Sequence, residues 1–153
     1  MKYEILKQIA ESHKLWLDSD RKFGARADFE HCDLKGQKFD GMNLTKANFR
    51  GANLRFATFK GTNLWGCDFH HANLEDADLR GAIIDYASLP ISCGLLRVKV
   101  DKEIFCQLAY HMCSMNCDDA EVIKAQNALL ELANQFCRVQ NGELPVCQSP
   151  NEG

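Results

Sequence analysis

The sequence predicts a mainly β solenoid with α-helical caps, and three observations predict it. Residues 27 to 91 form thirteen consecutive five-residue units without an insertion, each centred on Phe, Leu or Ile, mostly with a small residue two places earlier. Neither an α-helix nor a flat strand has that period. Glycine recurs at the unit boundary (Gly36, Gly41, Gly51, Gly61, Gly66, Gly81), and helical spacing flanks the run on both sides.

Within a unit the small and central residues are two apart, as Ala47 and Phe49 are, so on an extended backbone both face the same way. The next small residue, Ala52, lies three beyond Phe49, and only a turn after every unit keeps both positions inward. The boundary glycines supply the dihedrals such a turn needs. The chain therefore winds around its own apolar axis, each coil lying on the last at about 4.8 Å.

Residues 1–24 read as an N-terminal capping helix. Leu6, Ile9, Ala10, His13, Trp16 and Leu17 share one stripe, and Asp18, Ser19, Asp20 and Gly24 mark its end. His13 lies in the apolar stripe with no second candidate ligand or base nearby, so it is expected to be a packed, hydrogen-bonded histidine. The repeat proper spans 25–100, where LLRVKV at 95–100 could add a last strand after the pattern stops at Cys93. Residues 101–142 predict a helical pair. Asp101 caps a helix through Met115 with Ile104, Phe105, Leu108, Met112 and Met115 on one side. Asp118 and Asp119 open a second to about Val139, burying Ile123, Leu129, Leu130, Ala133, Phe136 and Cys137. Residues 143–153 read as a flexible tail, the whole forming one structural domain.

The A-(D/N)-L-x-x pattern resembles the pentapeptide-repeat family, and the pairing of His13 with Trp16 and Leu17 is similar to the helical leader of many of its members. Gln37, Met42 and Ile83 depart from the pattern. The resemblance implies a right-handed quadrilateral β-helix with four units per coil, hence about three coils and a length of roughly 15 Å. It implies four columns of central residues: Phe29, Phe49, Phe69 and Leu89; Leu34, Leu54 and Leu74; Phe39, Phe59 and Leu79; Leu44, Leu64 and Ile84. Most phenyl rings then stack on two opposite faces. The first coil, with Cys32, Gln37 and Met42 in place of alanine, is expected to be adapted to the capping helix.

Outward positions carry whatever the solenoid does. Lys46, Arg50, Arg55 and Lys60 form a basic belt without an acid between Thr45 and Gly66. Asp28, Glu30 and Asp33 precede it, and Asp68, Glu75, Asp76 and Asp78 follow. Trp65 and Tyr86 are expected on one face, one coil apart, with Ile83 beside them and Phe56 on another face; exposed large apolar groups mark a contact. Either the C-terminal segment folds back over them or a partner protein does.

Several classes are excluded. A net charge of −3 fits neither a nucleic-acid binder nor a uniformly acidic rod, and residues 27–91 carry nine acids and seven bases. The charged N-terminus lacks a signal-peptide core and no run has membrane-spanning length, so a cytoplasmic protein with reduced thiols is expected. Cys67 faces inward while His70 and His71 face outward, and His31 is two coils from His71, so these cannot share an ion. His111, Cys113, Cys117 and Cys137 could supply zinc ligands, but there is no CxxC pair; packing thiols, a disulfide and metal remain open. No catalytic motif is present and no metal or cofactor is assigned. The expected function is a non-enzymatic protein-interaction module. The alternatives are a DNA mimic acting on DNA gyrase or another DNA-handling or phage-defence complex, as some family members do, and a thiol- or metal-dependent regulator. The C-terminal helices offer either a cap or a homodimer surface.

Overall fold

A computed structural model of the chain describes residues 3–90, 95, 97–114, 119–135, 142, 143 and 146. It divides into two compact units, Met1–Val100 and Asp101–Gly153. No described helix is long and apolar enough to cross a membrane.

The first unit opens with α1, Tyr3–Asp18. Its inner stripe buries Leu6 and His13 completely and Ile9, Ala10, Trp16 and Leu17 in part, as the three- and four-residue spacing requires. Asp20, with φ 52°, ends the helix: its N–H donates to the Leu17 carbonyl and that of Arg21 to the Trp16 carbonyl at 2.8 Å, which satisfies two orphan acceptors. Gly24 then passes against the helix, and the Ala25 N–H donates to Ser12 Oγ at 3.0 Å. His13 fastens the helix to the first repeat. Its Nδ1 accepts from the Ala27 N–H at 3.0 Å, and its ring stacks on Trp16 with centroids 5.5 Å apart. Burial pushes its pKa below the usual 6.5, the Arg26 charge adds to this, and the Thr45 backbone opposes it.

From residue 31 to 86 every fifth residue has φ between 54° and 70°: the six boundary glycines, and His31, Lys46, Phe56, His71, Asp76 and Tyr86. Each is the second central residue of a β-turn closed by a bond such as Cys32 N–H to the Phe29 carbonyl at 3.1 Å. The corners give a coil of twenty residues. Parallel bridges accordingly join Asp28 to Asn48, Asn48 to Asp68 and Asp68 to Ser88, with equivalent series on the other sides. Each unit contributes a single bridging residue, so the sides are too short to register as continuous strands.

The backbone donors of a unit are accounted for one by one. The central N–H donates to the coil above (Phe29 to the Asn48 carbonyl, 2.7 Å), as does the fifth (His31 to the Arg50 carbonyl, 2.8 Å). The second donates to the coil below (Asn48 to the Ala27 carbonyl, 3.0 Å), and the first closes the turn. The fourth has no carbonyl within reach of this scheme. It donates instead to the side chain two residues back: His70 to Asp68 Oδ1 at 2.9 Å, Glu75 to Asn73 Oδ1 at 2.9 Å, Trp65 to Asn63 Oδ1 at 3.0 Å. This is why Asp or Asn recurs at the second position.

Inside, the central residues from Phe29 to Ile84 are buried. Phe29, Phe49 and Phe69 stack at 4.9 Å, Phe39 on Phe59 at 4.8 Å, and the two columns meet edge-on at 5.7–6.2 Å. Both arrangements are favoured by the ring quadrupole. Thr62 and Cys67, where alanine is usual, donate to the Phe39 and Leu44 carbonyls at 2.8 and 2.9 Å. The coil persists beyond the sequence pattern: Lys99 bridges to Asp78 with one extra residue in the interval, and Arg97 has φ 54° like the regular corners.

The second unit contains α2, Lys102–Cys113, capped by Asp101 (Ile104 N–H, 3.0 Å), and α3, Ala120–Ala133, capped by Asp119 (Glu121 N–H, 2.9 Å). The buried stripe of α2 keeps the expected Ile104, with Leu108 partly buried, and otherwise differs from the expected one. Cys106, Ala109, Tyr110 and Cys113 are buried with Ala133, against Leu129, Leu130 and Leu132, whereas Phe105 and Met112 are exposed. Small cysteine and alanine side chains pack there beside the larger Tyr110. On α3, Gln126 is buried and donates to the Met112 carbonyl at 2.9 Å. The expected continuations through Met115 and to Val139, with Phe136 and Cys137, and most of the tail, lie outside the described residues.

Two outcomes are expected. A Cβ at Gly24 would collide with the Ser12 carbonyl and lie 2.8 Å from the Trp16 nitrogen, at φ +75°. Gly24→Ala should cost about 2–3 kcal/mol in urea unfolding. His13, neutral in the fold, contributes stability that is complete above pH 6.5 and falls as pH drops below it towards the lower folded-state value. The loss below pH 6.5 should vanish in His13→Gln.

Candidate interaction surface

The units 42–46, 62–66 and 82–86 lie one above another, because Asn43 bridges to Asn63 and Asn63 to Ile83. This face assembles Trp65 (37% exposed), Ile83 (48%) and Tyr86 (70%). The Trp65 and Tyr86 rings lie 5.3 Å apart at a 56° tilt, and the Lys46 ammonium sits 5.1 Å over the Trp65 ring. Ile83 stands where other units place the Asn or Asp that accepts the fourth N–H, so an apolar group replaces a turn-forming one. Lys46 and Tyr86 also occupy corners with φ 64° and 57°, where a side chain costs about 1–2 kcal/mol relative to glycine. Phe56, at φ 60° and 47% exposed, belongs to another side, with Lys35 and Arg55 at 5.6 and 5.4 Å from its ring.

The basic belt is not a uniformly unpaired band. Arg50 lies 4.0 Å from Glu30, Arg55 2.9 Å from Glu75, and Lys60 3.5 Å from Asp78. Acids eighteen or twenty residues away in sequence come within reach on an adjacent coil, so a linear run of bases becomes a set of ladders. Among the described residues Lys46 forms no ion pair. Asp78 is buried and its carboxyl is held well below the usual range, chiefly by a two-point contact with Arg80 and also by Lys60. Arg97 joins Glu75 and Asp76, its hydrogen bond holding the exposed Asp76 carboxyl low. Sequence reasoning missed Arg97, because its segment lacks the pentapeptide pattern. It also missed Asp40, whose Oδ1 accepts the Lys60 N–H at 2.9 Å across a coil.

The histidine and cysteine groups stay apart. Cys67 is buried, its thiol pushed up to about 12 by desolvation, while His70 pairs outward with Asp68 at 2.7 Å and His71 is exposed. Cys113 is buried and donates to the Gln126 carbonyl at 3.4 Å, while His111 is exposed; Cys117 and Cys137 lie outside the described residues. No three His, Cys, Asp or Glu among the described residues gather as a metal site.

The profile described as Pentapeptide repeats matches eight copies over residues 27–66 and 66–89. No protein of curated function matches the sequence. Solved structures do. HetL, a pentapeptide-repeat protein involved in heterocyst differentiation regulation from the cyanobacterium Nostoc sp. strain PCC 7120, is 31% identical over 49% of this chain and 35% of its own, with a TM-score of 0.44. Rfr23 from the cyanobacterium Cyanothece 51142 is 27% identical over 50% and 52%, with a TM-score of 0.31. QnrB1, a plasmid-mediated fluoroquinolone resistance protein, is 20% identical over 62% and 46%, with a TM-score of 0.37. The matched segment thus spans a third to a half of these relatives.

Replacing the outward residues should leave the fold standing. Tyr86→Gly relieves a left-handed corner and Ile83→Asn restores a turn-forming side chain, so each should unfold within about 1 kcal/mol of the parent chain. Phe49→Ala, removing a ring stacked between two others, should lose about 3–5 kcal/mol in the same urea titration.

Proposed function

The chain belongs through residues 27–89 to the pentapeptide-repeat family, and on that premise we propose that it is a non-enzymatic protein-interaction module. In this proposal the repeat is a right-handed quadrilateral β-helix of about three coils. It works in the cytoplasm and presents the face of Trp65, Ile83 and Tyr86 to a protein partner, with Phe56 as a contact on a second side.

A single observation carries the proposal: large apolar side chains are held outward at positions where the coil would be as stable, or more so, without them. Tyr86 occupies a glycine corner and Ile83 an Asn/Asp position, and both remain solvent-facing beside Trp65. An interface supplies a reason for both residues, since aromatic anchors dominate binding energy. The DNA-mimic alternative needs a continuous acidic face. Glu30, Glu75, Asp76 and Asp78 each lie against a base, which weighs against it.

Affinity purification of the full chain from its native host provides the test. One specific protein should co-purify and be lost with Trp65→Ala combined with Tyr86→Gly, while the melting temperature of the purified variant is unchanged. If the double variant melts early and still captures the same protein, the patch serves the fold and the proposal fails.

A further inference from the structure

The Trp65 face continues towards α1. Met42 and Asn43, the members of this side in the first coil, border an open groove of about 260 Å³ floored by Leu6 and Ala10 of the helix. Lys7 and Lys14 stand along it, with Glu11 between them. Because Asn43, Asn63 and Ile83 form one bridged column, groove and aromatic patch lie along a single side of the solenoid.

The cations of this side are unlike the paired members of the basic belt, a character that Lys35 and Lys38 share on other sides of the repeat. Arg50, Arg55 and Lys60 are within 4.0 Å of carboxylates. Lys46, Lys7 and Lys14 form no ion pair among the described residues, and Lys46 rests on the Trp65 ring instead. Lys7, Lys14 and Lys46, with Glu11 as the acid of the groove lining, border two apolar surfaces about two coil spacings apart, on the order of 10 Å. An amphipathic helix repeats its apolar side chains at that distance, every seven residues or about 10 Å, and can turn carboxylates to the same edge.

We infer that this side takes an acidic amphipathic segment of a partner protein, its apolar stripe running from the α1 groove to Ile83 and Tyr86 and its carboxylates meeting Lys7, Lys14 and Lys46. The inference rests on the interaction function proposed above and adds the chemistry of the partner. Solvent-facing lysines beside an apolar floor favour acidic over basic segments through complementarity, which sets specificity and encounter rate.

A library of random peptides about four helical turns long, selected on the immobilised full chain, tests this. Enriched peptides should carry net negative charge with apolar residues at three- and four-residue spacing, and should bind more weakly as salt rises. Lys14→Glu with Lys46→Glu should weaken the best of them at least about tenfold without moving the melting temperature. Neutral or basic peptides, or a change within about twofold, would overturn the inference. If Tyr86→Gly abolishes peptide binding and the lysine reversal does not, the interaction face stands and its acidic specificity falls. If neither matters, both fall. A concentration-dependent dimer of the chain that Tyr86→Gly dissociates would put a second copy on this face in place of an acidic segment.

Discussion

The left-handed residue that closes each five-residue unit is the constraint on which the rest depends. It turns the chain after every unit, so four units return the backbone to its starting side and the next coil lies directly above. Stacking follows from that return, as do the phenyl columns and the ladders of bridged residues. The second-position Asn or Asp completes the device by accepting the one N–H that neither neighbouring coil can reach. Corner and turn-forming side chain together leave no backbone donor of a regular unit unanswered.

The same corner sets the cost of decorating the surface. Glycine suits it best, and wherever another residue stands there a side chain projects from a strained position. Some of these side chains are used within the molecule: Asp76 pairs with Arg97, and His31 lies so close over Gly51 that a Cβ there would strike its ring. Lys46 and Tyr86 instead border the Trp65 ring on the exposed side. The solenoid thus offers a rigid lattice of positions in which departures from the repeat, more than adherence to it, mark where something binds.

Stacking also rewrites the electrostatics. Charges that look segregated along the chain become neighbours across coils, which is how Arg55 meets Glu75 and Lys60 meets Asp78. Lys46 instead rests on the Trp65 ring, as Lys35 does on Phe56. The second unit works by another rule. Its described helices pack through Cys106, Ala109, Tyr110, Cys113 and Ala133, where Cys106 and Cys113 serve as small packing groups.

The sequence by itself determined the coil, because a five-residue period with a small inward residue and boundary glycines admits few other arrangements of an extended chain. It also determined which residues face inward, the N-terminal helix with buried His13, the caps at Asp101 and Asp119, and the outward placement of Trp65, Ile83, Tyr86 and Phe56. Tertiary structure decided what depends on distances between coils and helices. It converted the basic belt into ion pairs, and it continued the coil through Arg97 and Lys99, where the pattern had ended. It buried Cys106, Ala109, Tyr110 and Cys113 of α2 in place of Phe105 and Met112, and set the α1 groove beside Met42 and Asn43. The physical reason is the same in each case. Periodicity specifies which way a side chain points, whereas partners twenty residues or a helix away are specified only once the coils and helices are stacked.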